Sequence, residues 1–193
     1  MTAAGANPHA LHAGIAEQGK LLALRGDHRA ALTRYREALR LAATARAPQI
    51  VARHYLYCIL ESLERMGDHR AMAELAGNAA GAASEAPDSP FLRRDRAALL
   101  ERVAVARLKA GAIEDGRAAL REALALAGAE ALPLAAQLAG WLDRGFAIDP
   151  ARLAEAQRRA GYWVVRPDTV DPARALTIDP PSPGQRTREH AHG

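Results

Sequence analysis

The chain has a single cysteine, Cys58, in 193 residues. No internal disulfide and no all-cysteine metal cluster can form, and nothing in the thiol content calls for an oxidising compartment. Aromatic residues make up only 4%; Ala, Leu, Arg and Glu recur instead, which favours helix over sheet. No run approaches the roughly 18 to 20 apolar residues of a membrane span, and residues 1–10 lack a basic region followed by an apolar stretch. The sequence therefore predicts a chain that is neither exported nor inserted, with a cytoplasmic location. Charge of one sign is also scarce: 26 Lys and Arg against 22 Asp and Glu give a net charge of +4, too modest to imply nucleic acid by itself.

What is present is an internal echo. Gly26-Asp27-His28-Arg29-Ala30 returns unchanged as Gly67-Asp68-His69-Arg70-Ala71, 41 residues later. Arg36-Glu37-Ala38-Leu39 returns as Arg121-Glu122-Ala123-Leu124 after 85 residues, the same offset that separates Gly26 from Gly111. The two offsets define three units with turns at Gly26, Gly67 and Gly111, a spacing typical of stacked helical hairpins. In each unit an apolar-periodic segment ends at glycine, an acidic residue caps the next start, and a second Ala/Leu-striped segment follows. The second helix of unit two reads as the weakest, because it carries Gly77 and Gly81.

The breaker-rich stretch from Ser84 to Pro90 separates units two and three, with Ser89-Pro90 reading as cap and first-turn proline. A further pair is predicted from Leu132 to Arg144 and, after Asp149-Pro150, from Ala151 to Ala160. Tyr162-Trp163-Val164-Val165 is then a short apolar, β-prone run, followed by Pro167, Pro172, Pro180, Pro181 and Pro183, which forbid regular helix. The predicted organisation is a flexible N-terminus over 1–10, a helical repeat domain over 11–161, an extended segment over 162–167 that packs back on the last helices, and a disordered proline-rich tail over 168–193. Trp141, Tyr162 and Trp163 are expected to seal the end of the stack.

Unit one resembles the tetratricopeptide repeat. Gly19, Gly26-Asp27, Ala31, Tyr35 and Ala38-Leu39 occupy that pattern in order; unit three keeps Ala104, Gly111, Leu120 and Ala123-Leu124, with Gly116 in place of alanine. Unit two keeps Gly67-Asp68 and Ala79, with Met72 and Ala76 replacing the usual alanine and large aromatic. The resemblance covers roughly residues 12 to 127. It departs from the family in its spacings of 41 and 44 against a period of about 34. The fold class it implies is all-α: antiparallel helix-hairpin repeats in a tetratricopeptide-like solenoid, about three repeats plus a C-terminal helix pair and an irregular tail. A plain helical bundle is the alternative.

The resemblance further implies that the first helix of each pair lines a concave face. The family's ligand-facing positions correspond to Glu17 and Lys20 in unit one, His54, Tyr57, Cys58 and Glu61 in unit two, and Glu101, Arg102 and Val105 in unit three. Such a mixture of charge, imidazole, thiol and phenol suits an extended or helical peptide; Tyr57 and Cys58 read equally well as core. The carboxylate clamp of chaperone-binding members is not reproduced, since its positions hold Ala16, Lys20, Cys58, Ala98 and Arg102.

Few residue patterns in the chain point to chemistry. Residues 14–21 imitate a GxxxxGK phosphate loop, but Leu21 replaces the magnesium-holding hydroxyl and no strand precedes it. His9 with His12, and His190 with His192, have metal-compatible spacing without a third ligand, and read as solvated. His54 lies one turn before Cys58 and could activate a thiolate, yet no orienting acid or oxyanion site is evident. Arg46, Arg53, Arg93, Arg94, Arg96, Arg158 and Arg159 are interleaved with acids and read as a solvated surface. The expected function is therefore a non-enzymatic adaptor, scaffold or assembly factor that binds a peptide or helix of a protein partner, with no cofactor and no metal. The alternative is a regulatory sensor module that acts with a DNA-binding protein or binds nucleic acid through basic patches.

Overall fold

The computed structural model describes residues 7–85 and 89–176. The N-terminal residues 1–6, the connector residues 86–88, and the tail from 177, including His190 and His192, lie outside the described residues.

Eight α-helices and no strand occur among the described residues: α1 (Pro8–Leu24), α2 (His28–Thr44), α3 (Gln49–Arg65), α4 (His69–Glu85), α5 (Pro90–Lys109), α6 (Ile113–Ala127), α7 (Pro133–Asp143) and α8 (Pro150–Arg159). Each packs on its neighbours in sequence, so the chain is an all-α stack of helix pairs. The first helix starts inside the stretch expected to be flexible. Asn7 followed by proline supplies a cap and a pre-set first turn, and Asn7 Oδ1 accepts the His9 N–H at 3.0 Å.

The three turns marked by the echo share one geometry. Gly26, Gly67 and Gly111 have φ of 84°, 77° and 81°, a left-handed conformation open to glycine at little cost. Each is half of a Schellman pair: Gly26 and Asp27 donate to the Ala23 and Leu22 carbonyls, Gly67 and Asp68 to Glu64 and Leu63, Gly111 and Ala112 to Leu108 and Arg107. Asp27 and Asp68 then cap the following helices by accepting from Ala30 and Ala71, at 3.0 and 3.2 Å. Ala112 stands at that position in unit three and offers no side-chain cap. The turn from α2 to α3 has the same pair of bonds, but Arg46 occupies its left-handed position with φ 52°.

The glycines of α4 do not break it. Gly77 borders the side that meets α5, where Met72, Ala76 and Ala80 are buried and a Cβ at Gly77 would just touch Val103 at 4.0 Å; Gly81 is exposed. Small residues let the two helices approach closely. The main core runs from Tyr35 through Leu60, Leu99 and Leu120 to Leu138 and Leu153; a smaller cluster around Ile15, Ala38 and Tyr55 closes the N-terminal end.

Beyond α8 the chain turns at Gly161 and crosses back over α5, α3 and α1 as an irregular strap, residues 162–176. The expected disorder from Asp168 does not hold for residues 168–176. The prolines that exclude regular helix open two short 3-10 turns instead, Pro167–Thr169 and Pro172–Arg174. Nor does the segment stop at the last helices: it reaches α1, where the Leu176 N–H donates to the Gly14 carbonyl at 3.0 Å.

Candidate peptide-binding face

The first helices of the three repeats, α1, α3 and α5, are knitted along one face by side chains. His12 meets the Tyr55 hydroxyl at 2.8 Å, Arg53 pairs with Asp95 at 2.9 Å, and Lys109 pairs with Glu64 at 2.6 Å. The strap lies across this face. Its inner part is deeply seated: Tyr162, Trp163 and Val165 are buried. The Arg102 guanidinium lies 3.5 Å from the Tyr162 ring centroid and donates to the Tyr162 carbonyl oxygen, while Arg65 stacks on the Trp163 ring at 3.9 Å. Cations over aromatic faces gain most where water is excluded.

The strap's main chain is read by carboxylates. Glu61 Oε2 accepts the N–H groups of Val164 and Val165 at 2.9 and 3.0 Å, and Glu17 Oε2 accepts that of Asp171 at 3.1 Å. An extended backbone has no internal partner for these donors, so buried acceptors must supply one. The other Glu17 oxygen is held by Lys20 at 2.8 Å. Burial pushes the Glu61 carboxyl above its ordinary range, and the two N–H groups pull it back by favouring the charged form.

Of the residues singled out by sequence, Glu17, Lys20, Glu61 and Arg102 are brought together beneath the strap, all of them buried. His54 and Tyr57 are half-buried beside it, with Arg102 5.4 Å from the Tyr57 ring centroid. Glu101 lines a cavity with Tyr57, Arg102, Tyr162 and Val164, and accepts the Ala135 N–H of α7 at 2.9 Å. Cys58 and Val105 are fully enclosed in the core. The Cys58 sulfur is 3.8 Å from His54 Nε2, but burial pushes the thiol up to about 12 and holds the imidazole below its ordinary value. A thiolate–imidazolium pair is therefore disfavoured in this buried setting.

Other candidates resolve similarly. The phosphate-loop imitation lies within α1, with Lys20 committed to Glu17. His12 is buried rather than solvated, bonded to Tyr55 and 3.3 Å from His9. Arg53, Arg96, Arg158 and Arg159 are paired with Asp95, Glu122 and, for the last two, Glu155.

Sequence reasoning missed Gly14, Glu64, Arg65, Lys109 and Gln157. Glu64 is buried and accepts from Gln157 of α8 at 2.7 Å as well as from Lys109. The available signal was the spacing of Arg102 and Lys109, seven residues apart on α5 and so on one face, opposite Glu61 and Glu64 on α3. Gly14 gave no signal of its own.

No protein-family model, curated protein or solved structure matches the chain.

Proposed function

We propose that this protein is a non-enzymatic, tetratricopeptide-like interaction module, an adaptor, scaffold or assembly factor, that holds an extended segment of a protein partner on the face formed by α1, α3 and α5. One observation carries the reading: that face already holds a stretch of chain outside the α-helices, the protein's own residues 162–176, extended where it meets Glu61 and folded into short turns beyond, whose main-chain N–H groups are bonded by Glu61 and Glu17. Main-chain recognition by buried side chains tolerates many sequences, while cationic seats such as Arg65 and Arg102 select aromatic residues. The stretched period fits the family pattern through helix length. Four consecutive helices of 17 residues already use up a period of about 34 per pair before any turn is added.

Beside the strap the face stays open and apolar. Ile50 and Phe91 are 59% and 60% exposed, next to His54, Tyr57 and Ala98, as suits a surface kept free for a partner. The test is a photo-crosslinking amino acid placed at position 54 or 91 in cells that express the protein, with position 70, on the exposed side of α4, as control. Cross-links from 54 and 91 to one contiguous peptide of one protein, and none from 70, support the reading. Equal labelling from all three positions, or none from any, would end it.

A further inference from the structure

The strap is two pieces of unequal attachment. Residues 162–165 are sunk between α3 and α5. Residues 166–169 form a turn closed on itself: Arg166 pairs with Asp168 at 3.1 Å, and the Thr169 hydroxyl donates to the Val164 carbonyl at 3.0 Å. The outer leg, 170–176, then lies on α1 by two main-chain bonds, Asp171 N–H to Glu17 and Leu176 N–H to the Gly14 carbonyl. Asp171, Pro172, Ala173 and Arg174 are exposed, and Leu176 keeps 42% of its surface in water.

The seat beneath this leg is more specialised than the leg. Glycine inside a helix is unfavourable relative to alanine. At position 14 a Cβ would fall 2.6 Å from Leu176 Cδ1 and 2.8 Å from the Arg174 carbonyl oxygen. Only a bare backbone lets another stretch of main chain lie this close. Glu17 is 9% exposed and has its first oxygen neutralised by Lys20, leaving the second to accept an N–H from whatever covers it. A weakly held segment thus lies on a seat shaped for close main-chain contact.

We propose that residues 170–176 are a resident ligand, and that the Gly14–Glu17 seat receives in their place a segment of a partner protein folded into the same short 3-10 turn: one that offers a main-chain N–H to Glu17 and, five residues on across the turn, an N–H and an aliphatic side chain to Gly14. The inference rests on the reading of this face as a peptide-binding one, and adds to it the partner's chemistry and the competition. Because the resident segment is tethered, its effective concentration is high, and it lowers apparent affinity for a competitor by the fraction of time the seat is covered.

The experiment uses the full chain and, as probe, a synthetic peptide of residues 167–176 with blocked ends and a fluorophore. Asp171→Pro with Leu176→Asp loosens the leg without touching the seat: the proline removes the donor to Glu17, and the aspartate lifts the side chain off Gly14. This loosened chain, shown to be folded by circular dichroism, is expected to bind the probe at least about tenfold tighter than the unaltered chain. Adding Gly14→Ala, which favours the helix but blocks the seat, is expected to abolish the gain. Equal affinity in the unaltered and loosened chains, or binding indifferent to Gly14→Ala, overturns the proposal. If the probe binds neither chain while cross-links from position 54 still map a partner peptide, the resident-ligand idea falls and the peptide-binding face stands. Silence in both experiments removes both.

Discussion

Glu61 and Val165 are 104 residues apart in sequence, yet the carboxylate oxygen of one lies 3.0 Å from the amide nitrogen of the other, and the same oxygen takes the neighbouring Val164 N–H. Two donors converge on one buried acceptor. Glu61→Ala would leave both unpaired in a site that excludes water, at a cost of about 2–4 kcal/mol. The expected result is a lower denaturation midpoint and, in a Trp141→Phe background, a red shift of Trp163 fluorescence as the inner strap lifts. Unchanged emission would mean that the aromatic seats alone hold it.

The Arg46 backbone offers a second prediction. A left-handed non-glycine residue costs about 1–2 kcal/mol, and the equivalent turns hold glycine. Arg46→Gly relieves that strain, offset in part by the freer unfolded chain, and is expected to stabilise by about 0.5–1 kcal/mol. Thermal unfolding should show a rise of roughly 2–4 °C per kcal/mol for a chain of this size.

Repeats within one chain can be used to correct each other. Ala112 stands where Asp27 and Asp68 cap α2 and α4. Ala112→Asp should cap α6 and add about 1 kcal/mol. The same substitution reversed, Asp68→Ala, should remove a similar amount, and equilibrium denaturation measures both.

Cys58 should behave as a core residue. With the thiol pushed up to about 12 by burial, native protein at neutral pH is expected to resist alkylation. One thiol should become reactive only after unfolding in guanidinium. Rapid native labelling would contradict the enclosed placement.

Acid should weaken the fold before it protonates ordinary carboxylates. His12, His28, His54 and His69 are all held below the usual imidazole value, first by burial and then by a neighbouring side chain: His9, Arg65, Lys20 and Lys109 respectively. A lowered value means that the folded state prefers the neutral ring. The resulting stability is fully present above about pH 6.5 and is lost as pH falls below it. Glu61, Glu101 and Asp95 are shifted upward, which works in the opposite sense as carboxyls protonate at lower pH. Midpoints measured from pH 7.5 to 5.5 should decline, and less steeply in a His28→Asn, His69→Asn variant.

Much of this architecture is written locally. The five-residue echo marks turns that reappear with one hydrogen-bond pattern because each needs only a glycine, a following donor and the last carbonyls of its own helix. Helix bounds follow from the same short-range rules. The strap was legible only as an apolar run that must be covered. Its route over α5, α3 and α1 depends on Glu61 and Glu17 meeting main-chain donors 103 and 154 residues away, and no periodicity encodes that pairing. Gly14 was silent for a related reason. Its purpose lies in the segment that comes to rest on it, not in its own helix.

The bond between Leu176 and Gly14 joins the far side of the last helix pair to the first helix. A row of repeats that touch only their neighbours can fray from either free end, each end opening on its own account. Here the two ends are fastened to one another, like a coiled spring whose tips have been tied. Loosening that knot should let the terminal hairpins breathe independently, so that a single melting transition becomes a graded one.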